Sequence, residues 1–122
     1  MAEVKVKQGE ELNGLGVMLK EIMDENLKDP KKHRSVEKLK ASVVIREATS
    51  GVAITLHFRH GDIEIQNDAI DEPTACMEAG FENLAYISSG QLSPIKAILT
   101  GKLKAGGNLL TLLKISNITV LK

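Results

Sequence analysis

The sequence of 122 residues predicts one α+β domain, with helices packed on one face of a mainly antiparallel sheet. Its length suits one hydrophobic core and is too short for two cores of ordinary size. Apolar side chains recur at steps of three and four near the N-terminus, alternate in the middle, and return to helical spacing towards the C-terminus. Helices and strands are therefore largely segregated along the chain, which is typical of α+β proteins.

An amphipathic helix is the first predicted element. Apolar residues follow helical spacing from Leu12 to Leu27, so they share one face. Pro30 disfavours helical geometry at Asp29, and we expect the helix to end before it. The polar stretch 29–34 is then predicted to be a connector.

An antiparallel meander of three strands follows. Residues 43–45, 52–59 and 63–66 indicate the strands, which short turns connect. In the second strand apolar and polar side chains alternate, which predicts one apolar face and one polar face. A weaker fourth strand is expected at residues 75–79.

The C-terminal part predicts two short helices, a fifth strand and a last helix. Helical spacing returns at residues 81–85. A second short helix is expected to begin at Ser93-Pro94, because Ser supplies an N-cap oxygen and Pro lacks an N–H that would be unpaired there. Residues 102–105 indicate the fifth strand, and residues 109–115 the last helix.

Leucine dominates this last helix and covers most of its circumference. The helix is therefore either buried on two sides or lines a cavity, and two-sided burial is difficult in so short a chain. Aromatic residues make up only 2% of the sequence. The interior must be aliphatic, which fits either a plain core or a methyl-lined space for an apolar ligand.

Composition excludes several classes of protein. Sixteen basic residues balance sixteen acidic ones, which argues against a nucleic-acid binder that relies on positive charge. The single cysteine and the lack of a signal-peptide pattern lead us to expect the reducing cytoplasm. No apolar run approaches the ~20 residues that a membrane span needs.

The sequence offers no catalytic or metal-binding cluster. His57 and His60 lie on a strand and its turn and point in different directions, while His33 is remote. Cys76 has no partner cysteine and is interpreted as a passive buried thiol. We therefore predict no catalytic residue, no metal and no cofactor.

Acidic and basic residues occupy separate segments. Residues 62–82 contain seven acids and no Lys or Arg, whereas residues 83–122 contain five lysines and no acid. The two segments either form salt bridges with each other, or they leave a weakly basic, leucine-rich side that contacts an anionic membrane or an acidic ligand.

Two C-terminal motifs resemble the sterol carrier protein 2 family. Residues 101–108, with the sequence GKLKAGGN before a leucine-rich helix, resemble the C-terminal signature of that family. Residues 88–94, SSGQLSP, are similar to the link between its two short helices. The resemblance implies a five-stranded sheet covered on one side by helices, with a hydrophobic tunnel between them. It also implies a non-catalytic carrier of sterols, fatty acids or fatty acyl-CoA.

The resemblance further implies a set of residues that line the tunnel and bind lipid. These are Phe81, Leu84, Ile95, Ile98, Leu99, Leu103, Leu109, Leu112 and Leu113.

The sequence departs from the family pattern at two places. Ser116 stands where animal and plant members often carry a glutamine, and the chain ends without a Ser-Lys-Leu type of peroxisomal address. We therefore expect a free-standing cytoplasmic domain, monomeric or weakly dimeric, that binds a long-chain fatty acid or acyl-CoA more readily than a sterol. The alternative is a protein interaction or homodimerisation module with a filled core.

Overall fold

A computed structural model describes residues 3–121, in which five helices accompany a six-stranded sheet. The strands are β1 (Lys5–Val6), β2 (Lys40–Glu47), β3 (Ala53–Arg59), β4 (Asp62–Asn67), β5 (Ala75–Ala79) and β6 (Lys104–Gly107). The helices are α1 (Gly14–Asn26), α2 (Pro30–Arg34), α3 (Phe81–Ser88), α4 (Pro94–Leu99) and α5 (Leu109–Thr119). The predicted α+β class is confirmed, with six strands rather than five. β1 was not predicted, because two residues are too few to show alternation.

The strand order in the sheet is β1-β4-β3-β2-β5-β6. The predicted meander is confirmed, because β2 and β4 both pair antiparallel with β3. β5 pairs with β2 in parallel, and β6 pairs antiparallel with β5. In this register Val43, Leu56 and Ile65 form one row of buried side chains across β2, β3 and β4.

α1 packs against α5 and against strands β3 and β4. Its N-cap is Asn13, whose Oδ1 accepts the Gly16 N–H at 2.9 Å. The helix ends before Pro30, as predicted. The connector prediction for residues 29–34 was wrong, because Asp29 caps a short helix by accepting the Lys31 N–H at 2.9 Å and Pro30 occupies its first turn.

The outer face of the sheet, opposite the helices, carries the predicted polar side chains of β3, but parts of it are buried. Thr55 is fully buried, and its Oγ1 donates to the Asp68 carbonyl at 2.7 Å. Ala53 is buried as well, whereas Val52, which precedes β3, is exposed. Cys76 is exposed rather than buried. Its neighbour across the ladder in β6 is Gly106, which has no side chain to cover it.

The C-terminal elements follow the predicted order. Ser93 caps α4, and Asn108 caps α5. The last helix continues to Thr119, beyond the predicted end at residue 115, and the fifth predicted strand lies at 104–107 instead of 102–105. Across residues 3–121, none of the helices combines the length and the apolar character that a bilayer crossing requires.

Candidate functional site

A cavity of about 270 Å³ lies beneath the C-terminal helices. α3, α4 and α5 form one part of its wall, and α1 contributes Leu15, Met18 and Leu19. Ile45 of β2 and Met77 of β5 form the part that belongs to the sheet. The cavity therefore lies between the sheet and the helices that cover it.

α5 has two apolar faces with different environments. Ile115 and Ile118 are fully buried in the core on one face. The other face borders the cavity, and its lining positions are Leu109, Leu112, Leu113, Ser116 and Thr119. Their spacing of three and four residues is that of one helix face. Of the two alternatives considered for the leucine-rich helix, the structure therefore supports the one in which part of its surface lines a cavity, because only one face is buried in the core.

Eight of the nine residues predicted as tunnel lining border the cavity. They are Leu84, Ile95, Ile98, Leu99, Leu103, Leu109, Leu112 and Leu113. Phe81 does not border it, and its side chain is 62% exposed. Phe81 is the first residue of α3, one turn before Leu84, and the cavity does not extend to that turn. Whether the eight residues bind lipid stays a prediction.

The contribution of α1 and the sheet to the cavity lining was not predicted from the sequence. Leu15 and Leu19 belong to the apolar face that predicts α1, and Ile45 belongs to a predicted strand. Apolar periodicity identifies the inward face of an element but does not say which inward side chains meet a cavity. Ile87, next to the recognised Leu84 on α3, was missed for the same reason.

The cavity opens between α4 and the N-terminal half of α5. Of its lining residues, Leu99 is 81% exposed, Ile95 52% and Leu109 49%. At the opposite end Thr119 and Val120 are buried. The cavity therefore has an open end beside α4 and a closed end at the C-terminus of α5.

Hydrogen bonds hold the closed end in place. The buried Asn26 donates from Nδ2 to the carbonyls of Ile118 and Val120, at 2.8 and 3.1 Å. The Leu121 N–H donates to the Ser88 carbonyl at 2.7 Å. Gly90 permits this approach, because its φ is +81° and a Cβ there would lie 2.5 Å from the Leu121 carbonyl oxygen.

The interior of the cavity is almost entirely hydrocarbon. Ser116 donates to the Leu113 carbonyl at 2.6 Å, and Thr119 donates to the Ile115 carbonyl at 3.0 Å, so helix α5 itself satisfies both hydroxyls. Among residues 3–121, no charged side chain lines the cavity. Such a surface can hold a hydrocarbon chain but offers no acid, base or nucleophile for chemistry.

The acidic and basic segments do not pair with each other within residues 3–121; Lys122 lies outside that range. Glu64 and Glu78 of the acidic segment face Arg59 and Arg46 of the preceding strands, at 3.9 and 3.8 Å. The remaining ion pairs lie within or next to α1. The lysines of residues 83–121 are therefore available to a partner outside the chain.

An apolar cavity between the sheet and the helices of an α+β domain is a candidate site for a hydrophobic ligand. The family model of the SCP-2 sterol transfer family matches residues 19–120. The chain belongs to this family, as its C-terminal motifs indicate. A search of curated proteins found no match.

Solved structures share the fold at low sequence identity. UbiJ-SCP2, a ubiquinone synthesis protein, has a TM-score of 0.68 at 11% identity, over 89% of this chain and 93% of that chain. Palmitated SCP2L2 from Aedes aegypti has a TM-score of 0.63 at 17% identity, over 86% of this chain and 93% of that chain. The sec-alkylsulfatase Pisa1 from Pseudomonas sp. has a TM-score of 0.65 at 14% identity. That match covers 74% of this chain and only 14% of the sulfatase.

Proposed function

We propose that the chain is a single-domain, non-catalytic carrier that binds one long-chain fatty acid or fatty acyl-CoA in the cavity and delivers it in the cytoplasm. The observation that carries this proposal is the shape and chemistry of the cavity. It is lined by hydrocarbon, closed at Thr119 and Val120 and open beside Leu99. A single acyl chain with a polar head at the open end fits this arrangement.

Transfer of the chain out of water supplies the binding free energy. At ~0.8 kcal/mol per methylene, a tail of about 14 methylenes gains roughly 11 kcal/mol. Loss of ligand motion costs several kcal/mol, so a dissociation constant between micromolar and tens of nanomolar is expected. Because apolar contacts have little directionality, selectivity among chains should be loose.

The size of the cavity favours a flexible chain over a sterol. Its volume of about 270 Å³ lies below the range of about 300–1,000 Å³ that is common for small-molecule sites. A chain can adapt to a narrow space by bond rotation, whereas a rigid ring system cannot. A palmitated relative with the same fold, the protein from Aedes aegypti, supports an acyl ligand.

Displacement of a fluorescent fatty acid from the purified protein tests the proposal. We expect palmitate and palmitoyl-CoA to displace the probe at micromolar concentrations or below, and cholesterol to displace it more weakly. Native mass spectrometry of the protein from its host should show a bound lipid in parallel. No bound lipid together with no displacement would refute the carrier function.

The second candidate, an interaction or homodimerisation module, requires a filled interior. The cavity beneath α5 argues against it, although the exposed leucines of α4 and α5 would suit a partner. Size-exclusion chromatography with and without fatty acid separates the two candidates. A stable dimer that takes up no lipid supports the module, whereas a monomer or weak dimer that takes up lipid supports the carrier.

A further inference from the structure

Five aliphatic side chains form an exposed patch around the open end of the cavity, here called the mouth patch. Leu99 and Leu110 are the most exposed, at 81% and 69%. The whole patch consists of Ile95, Leu99, Leu109, Leu110 and Leu113. All except Leu110 also line the cavity. Contiguous exposed aliphatic surface of this kind marks a site for an apolar partner or a membrane.

The charged residues in the segment that carries the mouth patch, residues 94–119, are all lysines. Lys96 on α4, Lys114 on α5 and Lys102 in the loop between these helices are exposed, and residues 83–121 contain no acid. Within residues 3–121 none of the three forms an ion pair. Aliphatic side chains flanked by unpaired lysines are the combination that an anionic lipid surface attracts.

α1 offers no comparable surface. Its exposed positions include Val17, but also Glu21, whose carboxylate an anionic bilayer repels. Its apolar face is occupied by the core and the cavity wall. The distribution of charge and exposed apolar surface therefore selects α4 and α5 over α1.

We propose that the mouth patch docks on an anionic lipid bilayer, with its leucines entering the boundary between headgroups and acyl chains and its lysines contacting phosphate groups. A second copy of the chain fits this surface less well, because a two-fold interface would set the lysines of one protomer close to those of the other. Docking itself does not require the proposed carrier function. Only the entry of an acyl chain into the cavity rests on that function. Docking places the open end of the cavity against the acyl layer, so that a chain can enter without crossing water.

Co-flotation with vesicles tests the docking step directly. Wild-type protein should bind vesicles of phosphatidylcholine mixed with phosphatidylglycerol, and should bind phosphatidylcholine alone far more weakly. Lys96→Gln combined with Lys114→Gln should weaken binding to the anionic vesicles about 25-fold, at about fivefold for each lysine. The matched control is Lys31→Gln with Lys38→Gln, which removes the same charge from exposed positions elsewhere and should change binding little.

Leu110→Ser separates docking from ligand binding, because Leu110 belongs to the mouth patch but does not line the cavity. It should weaken vesicle binding roughly tenfold and leave the affinity for the fluorescent fatty acid unchanged. Val17→Ser is its control, an exposed aliphatic residue on α1 whose loss should leave vesicle binding intact.

The outcomes distinguish this inference from the carrier function. Equal losses in the mouth-patch variants and their controls would overturn docking at this surface. A stable homodimer that dissociates in the Leu110→Ser variant would also overturn docking at this surface, because a second copy of the chain would then cover the mouth patch. Vesicle binding that depends on the mouth patch in a protein that displaces no fatty acid would support docking and refute the carrier function.

Discussion

Both carboxylate oxygens of Glu47 accept backbone N–H groups, although this residue lies at the end of a strand and is almost fully buried. The N–H of Thr49 reaches Oε2 at 3.0 Å, and that of Ser50 reaches Oε1 at 2.7 Å. These two bonds, with the Ser50 hydroxyl and the Phe81 N–H, lower the pKa of Glu47 to about 2. Glu47 thereby holds the turn after β2 in place.

Glu47→Gln tests this contribution through its pH dependence. A lowered pKa stabilises the fold above the ordinary value of 4.5, and this stabilisation is lost as the pH falls towards about 2. We expect the variant to be less stable than wild type at neutral pH, and the difference to shrink as the pH falls through this window. Urea denaturation at a series of pH values measures it. Glu21→Gln, on the exposed face of α1, is the control, and an equal effect there would contradict the prediction.

Asn26→Leu tests the hydrogen bonds at the closed end of the cavity. The substitution leaves the carbonyls of Ile118 and Val120 unpaired and removes the acceptor of Lys32. We expect a loss of about 1–3 kcal/mol in the free energy of unfolding. Asn117→Leu, at an exposed position, should change the free energy of unfolding by no more than about 0.5 kcal/mol. Equal losses in the two variants would show that these bonds add nothing to stability.

Single-residue features were predictable only where their signal is local. Ser93 was predicted as an N-cap because Pro94 follows it, and the structure confirms this. The roles of Glu47 and Asn26 were not predictable. Asn26 contacts carbonyls more than ninety residues along the chain, and no local pattern encodes such a contact.

Among the secondary-structure elements, α5 packs into the core with one face and borders the cavity with another. Its core face, with Ile115 and Ile118, holds the helix in place while its other face remains free to border a ligand. A side chain on the cavity face can therefore be enlarged without disturbing the packing that positions the helix.

Leu112→Trp should fill the cavity and abolish fatty-acid binding while the protein stays folded. Leu112 faces the cavity, so the larger ring occupies ligand space instead of forcing the core apart. Leu110→Trp, on the solvent side of the same helix, should retain binding. Probe displacement and circular dichroism measure the two effects. A folded Leu112→Trp variant with unchanged affinity would place the ligand elsewhere.

Elements were predictable where they are long and periodic. α1 and the meander have enough residues to show their spacing, whereas β1 has two residues and α2 has five. β1 exists because β4 offers an edge for pairing, which is a tertiary effect. The burial of Thr55 on the polar face of β3 has a similar cause, because its hydroxyl contacts the Asp68 carbonyl in the loop after β4.

For the whole molecule, ligand binding should appear as thermal stabilisation. A ligand that binds only the folded state stabilises it by about 2.7 kcal/mol when its free concentration is about 100 times Kd. We expect palmitate to raise the melting temperature by several degrees and cholesterol to raise it less. Differential scanning calorimetry below the micelle concentration measures both shifts. A larger shift with cholesterol would contradict the preference for acyl chains.

The family and the C-terminal location of the cavity could be predicted from the motif at 101–108 and the leucine-rich helix. The site itself could be predicted only in part. α1, Ile45 and Met77 complete the wall from distant parts of the chain, and Phe81 falls outside it because the cavity stops at Leu84. The volume of the cavity and the side on which it opens depend on the packing of all these elements together.

The two ends of the cavity differ in how firmly they are held, and this difference bears on how the protein would discriminate among ligands. Asn26 and Ser88 tether one end, while the other is bordered by solvent-exposed side chains. An acyl chain would abut the tethered floor with its terminal methyl, and any surplus carbons would protrude from the rim. Affinity would thus rise with chain length only until the tail fills the cavity, and headgroups as different as a carboxylate and a coenzyme would be tolerated alike.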